Sequence, residues 1–444
     1  MSSSDGIAKT PAEAPDCCGE NAENSNTVEV FNRGYRLITV NEEELQRALE
    51  ADLAEAGLPS PLVESHPHLF AESPVFLSRR HAARMAEIVR AVEVAVQADG
   101  YQEELSQWAP ATASHDPGAL GVFFGYDFHL GPEGPRLIEI NTNAGGALFN
   151  TYLAHAQQAC CAEIEELLVG SAEPAAAKEA FVDMFRNEWR LRAPGRDLRS
   201  VSIIDDAPLE QPMYPEFVLF QRLFERAGIE ALVADPRECA VKDGALWIDG
   251  AKIDLVYNRV CDFYLESPEH EALRAAYASG AAVVTPHPRA YALYADKRNL
   301  TLLSSEERLH GFGVDESVIP TLTSGIPATE RVTPDNADDL WARRRQLFFK
   351  PGTGYGSRGA YRGAKLTRRV WNTIVSGDYV AQDLVQPSER EILLDDGSVL
   401  LKVDLRCYVY AGEIQFLAAR LYRGQTTNLR TPGGGFAPIF TEAD

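Results

Sequence analysis

The sequence predicts a mixed α/β protein with a helical N-terminal part, a small open parallel-sheet domain and a strand-rich C-terminal part. Three observations predict it. Between residues 200 and 290, apolar runs of strand length alternate with an amphipathic helix, the pattern of a parallel sheet. From about residue 297, strand-like runs follow one another across glycine turns, as antiparallel hairpins do. The chain has 444 residues and is 45% hydrophobic. That excludes a disordered protein and allows two to four domains at roughly 100–200 residues each.

In chain order, residues 1–27 are small, polar and acidic and read as a disordered tail that is no targeting signal. Cys17 and Cys18 lie in it. Residues 42–57 carry apolar positions at helical spacing, with Gly57 as a stop, and residues 79–98 repeat that pattern. Two short strands, Val122–Phe128 and Leu137–Asn141, flank the turn-rich GPEGP, and 151–193 reads as helical. Then VSIIDD is a strand, FVLFQRLFERAG a helix, and IEALVADP, AKIDLVYNRV and AAVVTP further strands. No GxGxxG follows the first of these, so a dinucleotide role is not assigned. QLFFKP, YVAQDLV, VLLKVDLRCYVYAG and EIQFLAARLY complete the strands.

Lys and Arg number 42 and Asp and Glu 65, a formal net charge of −23. Broad contact with nucleic acid or acidic membranes is opposed by such a charge. No apolar run reaches the roughly 18–20 residues that span a bilayer. Seven cysteines, odd in number and without metal spacing, argue for a reducing, cytoplasmic setting rather than a disulfide framework.

Three segments carry chemistry. In FFKPGTGYGSRGAYRG, Lys350 ends a strand and Gly352, Gly354, Gly356 and Gly359 follow. Glycines let backbone N–H groups fold over phosphate oxygens and a lysine adds a point charge; an unliganded glycine hairpin would look the same. It is not a Walker loop. Nine basic residues and no acid fall between Arg343 and Arg369, a positive island expected to face nucleotide phosphate. In FFGYDFHLGPEGPRLIEINTNAGG, Glu139 and Asn141 share one strand face, and a hairpin would bring Asp127 alongside. Three oxygen donors suit a hard cation such as Mg²⁺; solvent-exposed polar positions are the alternative. In the third segment, Arg406 and Arg420 fall on successive strands joined at Ala411–Gly412, where they can grip carboxylates. A structural pair of Arg406 with Asp404 is the alternative there. Asn428, Gly433 and Gly434 follow.

Together these residues resemble the ATP-grasp ligases, most closely those of the glutathione synthetase type. ADKRNLTLL (Ala295–Leu303) is similar to the family's first nucleotide-lysine segment, FFKPGTGYGSRG to its second lysine and glycine loop, and YVAQDLV to its adenine hinge. DLR, AARL and TNLRTPGGG resemble the segments meeting ribose, substrate and acyl phosphate. The D…E-x-N hairpin stands before the α/β domain instead of at the C-terminus, so the chain resembles the circularly permuted branch. The neutral Gln382 stands where the family often has Glu.

The resemblance implies an ATP-grasp fold with 28–195 holding helices and the metal strands, 196–295 a substrate domain, and 296–444 the nucleotide part. It implies an ADP-forming carboxylate–amine ligase working through an acyl phosphate, with ATP and one or two Mg²⁺. Lys297, Lys350, Gly354, Gly356, Ser357, Gly359, Gln382, Asp383, Leu384, Val385 and Asp404 would bind nucleotide. Asp127, Glu139 and Asn141 would hold metal. Arg406, Arg420 and Asn428 would be catalytic, and Asn258, Arg259, Gly433 and Gly434 would meet substrate. Small-molecule acid and amine partners and a homodimer are further expectations. A ligase acting on a peptide or protein, or a non-catalytic nucleotide-binding protein of the same fold, are the alternatives.

Overall fold

The computed structural model describes residues 28, 31–33, 38–54, 62–159, 166–170, 173–356, 358–394 and 397–443. The expected tail 1–27, with Cys17 and Cys18, lies outside the described residues. Helix α1 (Glu42–Leu53) is capped by Asn41, whose side chain accepts from Glu44 N, and buries Leu45, Leu49 and Leu53. It stops at Ala54, and Gly57, the expected stop, is outside the described residues. Helix α2 (Arg79–Val96), capped by Ser78, buries Met85, Ile88, Val89 and Val92 along one stripe. Strands β1 (Phe124–Gly131) and β2 (Gly134–Asn141) form the expected hairpin, each extended into GPEGP.

The helical reading of 151–193 needs correction. Helix α3 (Ala147–His155) and helix α4 (Pro174–Arg192) are separated by the short strands Gln157–Ala159 and Leu168–Gly170. The first pairs with Ile38–Val40 and the second with the C-terminal strand. Distant partners set these conformations, and a local pattern carries no trace of them.

The parallel sheet forms, but AKIDLVYNRV, read as one strand, divides: Leu255–Asn258 joins this sheet and Ala251–Ile253 an antiparallel one. The parallel sheet contains β3 (Ser200–Ile204), β4 (Glu230–Ala234), β5 (Leu255–Asn258) and β6 (Val283–Thr285), in the order β6-β5-β3-β4. Both faces are covered, with alternate residues going to different cores. Val201, Ile203, Leu255 and Tyr257 pack with Phe217, Phe220 and Phe224 of helix α5 (Tyr214–Arg226). Ile204, Val256 and Val284 pack with Leu273 and Tyr277 of helix α6 (Glu271–Ser279). A small antiparallel sheet of Cys239–Lys242, Ala245–Ile248 and Ala251–Ile253 was not anticipated. Its turns, Asp243–Gly244 and Asp249–Gly250, all have positive φ. Asp-Gly was the available hairpin signal.

The C-terminal strands form two antiparallel sheets. One holds β7 (Leu347–Pro351) and β8 (Tyr379–Asp383), flanked by Thr329–Arg331 and Tyr361–Arg362. The other holds β9 (Gly397–Tyr410), β10 (Glu413–Tyr422) and β11 (Gly435–Glu442); β9 pairs with β1, so the early hairpin completes this sheet. Strand β11 follows TPGGG, where the sequence reading ended. Helix α2 fills one face of the sheet, packing on Tyr126, Phe128, Leu137, Leu405 and Cys407. Among the described residues Cys239, Cys261 and Cys407 are free, and no helix is long and apolar enough to cross a membrane.

Buried His270 ties the loop after β3 to the loop after β5: its Nε2 is 2.8 Å from Asp206 Oδ1 and its Nδ1 2.8 Å from Asp262 Oδ2. Burial favours the neutral ring, but hydrogen bonds to the two carboxylates outweigh it and push the pKa up to about 9. The folded state therefore binds the proton more tightly than the unfolded chain, whose pKa is about 6.5. The resulting stabilisation is complete below pH 6.5 and is lost as pH rises through 9. His270→Gln should lower the urea midpoint most at pH 6, with the gap to wild type closing by pH 9.5.

Candidate active site

The face of the large sheet opposite α2 presents alternating acids and arginines. In the β1–β2 ladder Asp127 stands opposite Glu139 and Gly125 opposite Asn141. In β9–β1, Arg406 stands opposite Asp127; in β9–β10, Asp404 stands opposite Arg420. Period-2 alternation puts all of these on one side. Arg406 grips Asp127 through two bonds of 2.7 Å, Nε to Oδ1 and Nη2 to Oδ2. Arg420 Nη2 bridges Asp127 Oδ2 (2.8 Å) and Asp404 Oδ2 (2.5 Å). The partner of Arg406 is thus Asp127, while Asp404 pairs with Arg420. Burial raises the Asp127 pKa, but the two guanidinium groups outweigh it and hold it down at about 2. Burial pushes Asp404 the other way, upward, against the opposing pull of Arg420 and, more weakly, of His129 and the Thr427 hydroxyl.

Two lysines converge on Glu139, with Lys297 Nζ at 3.4 Å and Lys350 Nζ at 3.9 Å. Lys297 also donates to Gly354 O in the glycine loop (2.9 Å). Lys350, on β7, donates to Ile138 O (2.7 Å) and Gln382 Oε1 (3.0 Å). Burial disfavours the Glu139 anion, but the two ammonium groups prevail and lower its pKa; burial also lowers that of Lys350. Gly354, Gly356 and Gly359 have φ of 142°, 60° and 72°, conformations that side chains rarely tolerate.

These groups line one cleft of ≈ 440 Å³ between the two antiparallel sheets and the parallel-sheet domain. Asp127, Glu139, Asn141, Arg259, Lys297, Lys350, Gly354, Gly356, Gln382, Asp383, Leu384, Val385, Asp404, Arg406 and Arg420 all reach it. Of the hinge, Gln382 is buried against Lys350 and Thr329. The backbone N–H groups of Asp383 and Leu384 donate to Ala328 and Gln346.

Five expected residues are not among those lining the cleft. The Asn258 amide donates to Pro286 O and its oxygen accepts from Val260 N, so the side chain is a buried brace. Asn428 organises its own loop, donating to Arg423 O and accepting from Arg430 N. A Cβ on Gly434 would meet Leu421 O at 2.4 Å, which makes that glycine a packing requirement. Gly433 has φ 69° and turns the chain there, while Gly359 packs against Tyr379. Ser357 lies outside the described residues.

The basic island also divides. Only Lys350 and Arg358 line the cleft. Arg343 pairs with Asp339 and Glu330, and Arg344 and Arg368 stack on Trp341 at 4.0 and 3.9 Å. The helix ending at Arg343 carries its own acids, which the sequence count between 343 and 369 did not include. Residues the sequence reading missed include His129, whose Nδ1–H donates to Val385 O (2.9 Å), tying the hinge to β1. Its spacing of two from Asp127 was the signal. Phe263, Tyr291 and Tyr355 were also missed; the first two stack at 4.2 Å beneath the glycine loop.

The donor set fits Mg²⁺ held partly by phosphate. Among the described residues no group of three or more His, Cys, Asp or Glu could cage a metal. Glu139 and the Asn141 amide oxygen, on one face, suit an ion that keeps waters and takes substrate oxygens, whereas both Asp127 oxygens are already held by Arg406, Arg420 and Asn141. Glu139 retains 24% side-chain exposure into the cleft, and Asp404 Oδ1 is buried with no hydrogen-bond partner among the described residues.

The solved structure of a glutathione synthetase-like effector from Globodera pallida in its apo form superposes with a TM-score of 0.52 at 10% identity. The match covers 90% of this chain and 98% of that one. The chain has the glutathione-synthetase-like ATP-grasp fold. A putative gamma-glutamylcysteine synthetase from Methylobacillus flagellatus matches at 0.43 and 12% identity over 82% of this chain and 88% of its own. D-cycloserine synthetase matches at 0.28 and 16% over 54% and 90%. No protein-family model and no curated protein sequence matches the chain.

In this ATP-grasp fold the Asp127 network joins three adjacent strands. Removing one partner of a buried pair leaves an uncompensated charge, at a cost of about 3–5 kcal/mol. Arg406→Ala should destabilise the protein by that order, measured by urea denaturation. Arg406→Lys, which keeps charge but not the two-pronged grip, should cost less.

Proposed function

We propose that this chain is an ATP-dependent, ADP-forming carboxylate–amine ligase that joins an amino acid or small-peptide carboxylate to an amine through an acyl phosphate. One observation carries it. Two lysines from separate segments, one bound to the glycine loop, meet a metal-type Glu139 beside Arg406 and Arg420 in a single cleft. Such a concentration of cations, with carboxylates positioned for a divalent ion, suits a polyphosphate and the transfer of its terminal phosphoryl group.

On this reading Lys297 and Lys350 neutralise phosphate, and Gln382–Val385 receive the adenine. Mg²⁺, held by Glu139 and Asn141, would supply charge neutralisation on the phosphates. A substrate carboxylate oxygen attacks the γ-phosphorus, the bond to ADP breaks, and an acyl phosphate forms. An amine nitrogen then attacks the acyl carbon, phosphate leaves, and the amine gives its proton to solvent. Arg406 and Arg420 stabilise the oxyanion, and Arg259, whose Nε–H has no partner among the described residues, receives the substrate's carboxylate. The Gly354–Gly359 loop closes over the acyl phosphate and excludes water. The chain is then circularly permuted, since its 124–141 hairpin precedes the parallel-sheet domain but completes the sheet of 397–442.

A second reading, a non-catalytic protein of the same fold, is favoured by Asp127, whose two oxygens are already bound by Arg406, Arg420 and Asn141. ADP release in the presence of Mg²⁺-ATP and pooled amino acids, with coupled products identified by mass spectrometry, separates the two. Lys350→Ala and Glu139→Ala should each lower ADP release at least about tenfold, or ~1.4 kcal/mol of lost stabilisation. Equal release from both variants overturns the site; no release from wild type with amino acids or peptides favours the second reading.

A further inference from the structure

Asp127 lies on the cleft floor, buried, with four polar contacts on its two oxygens. Arg406 makes two of them, Nε to Oδ1 and Nη2 to Oδ2, both 2.7 Å. Arg420 Nη2 lies 2.8 Å from Oδ2, and Asn141 Nδ2 donates to the same oxygen (3.0 Å). A carboxylate has roughly four lone-pair sites, so these donors occupy it. Glu139, opposite it on β2, is in the reverse condition, open to the cleft with two lysine ammonium groups at 3.4 and 3.9 Å. Each contact on Asp127 also fixes one end of a side chain and leaves the other end over. Arg406 spends Nε and Nη2 there, and Arg420 shares Nη2 between Asp127 and Asp404. Nη1 of both arginines has no partner among the described residues, and both arginines line the cleft. An ionised carboxylate only accepts, so the Asn141 amide must turn its nitrogen to Asp127 and its oxygen away from it.

We infer that Asp127 is a positioning residue, which aims Arg406, Arg420 and Asn141 at the ligand and is not itself a donor to the metal. The inference rests on the ligase reading of the cleft and divides its polar groups by task. Moving an Asp127 oxygen onto Mg²⁺ would take it from guanidinium groups that are themselves buried and leave them without their counter-charge. Mg²⁺ is commonly held by one or two carboxylates and completed by water and phosphate oxygens, so it does not require that exchange. Glu139 is the open carboxylate beside Asn141. Asp127 then serves the transferred phosphoryl group only through the two arginines, whose aim decides how well they meet the charge that develops there.

The test asks which carboxylate touches the metal. Affinities for Mn²⁺ and Cd²⁺ are measured by calorimetry on the full chain, with a non-hydrolysable ATP analogue present. Glu139→Cys should shift the preference toward Cd²⁺ at least about tenfold, because a thiolate ligand favours the softer ion. Asp127→Cys should keep the wild-type preference within about twofold, since a thiol that is no ligand leaves the softness of the site unchanged. The paired variant Asp127→Cys with Arg406→Met buries no lone charge and gives the same reading should the single variant not fold. Asp127→Asn should lower ADP release, counted per nucleotide-binding site, at least about tenfold with little change in the KM for ATP, as expected for a contact made mainly in the transition state. Arg406→Lys, which keeps the charge without the fork, should repeat that split. A shift toward Cd²⁺ in either Asp127→Cys protein as large as that of Glu139→Cys makes Asp127 a ligand and overturns the inference. Full ADP release per site by Asp127→Asn, no shift in Glu139→Cys, or no Mn²⁺ binding by wild type also overturns it. Wild type that binds metal and nucleotide but releases no ADP counts against the ligase reading alone, and the metal preference still decides the role of Asp127.

Discussion

Asp127 and Arg406 are 279 residues apart in the chain and face each other across one rung of an antiparallel ladder. A carboxylate and a guanidinium buried together need each other, because either alone would carry a large desolvation penalty. The pair therefore holds the β1–β2 hairpin in one register against β9, and Arg420 extends the hold through Asp404 to β10. A one-residue slip would turn every one of these side chains to the apolar face packed on α2. The cleft floor depends on that register.

Around the floor, other interactions bring remaining groups into reach. Lys350 enters from β7 and is fastened to the hairpin through Ile138 O, while His129 fastens the hinge through Val385 O. Two sheets that share no strand are thus connected across the cleft by side chain-to-backbone bonds. Such contacts are few and polar, and they can open and re-form more readily than packed apolar surface. The parallel-sheet domain is joined differently. Buried Glu188 of α4 accepts from Leu120 N, Gly121 N, Thr285 Oγ1 and Tyr410 OH, tying the segment before β1, strand β6 and strand β9 to one carboxylate. The rigid side of the cleft and its adjustable side are built from different physics.

Much of the site was legible because its residues obey short-range rules. Glu139 and Asn141 share a face through period-2 alternation, Lys350 ends an apolar run before four glycines, and Arg406 and Arg420 flank an Ala-Gly turn. Legibility failed where a role is decided by which partner a side chain meets. Asn258 and Asn428 look like substrate amides in sequence, yet both are consumed by nearby backbone groups. The charge count from Arg343 to Arg369 suggested one phosphate-facing island, but acids just outside that window and the Trp341 ring take several of its members. The strands Gln157–Ala159 and Leu168–Gly170 were hidden within a helical pattern because their partners lie far along the chain.

The sequence by itself determined the class of fold, the parallel sheet at 200–285, the glycine loop and the identity of most charged cleft residues, since these follow from periodicity, turn chemistry and local charge. Only the tertiary structure decided which acid each arginine holds and that Lys297 and Lys350 meet on Glu139. Those outcomes depend on strand register and on contacts between segments more than a hundred residues apart. Burial strengthens such contacts many times over compared with the same pairs in water, so placement, which the linear chain does not display, governs the chemistry.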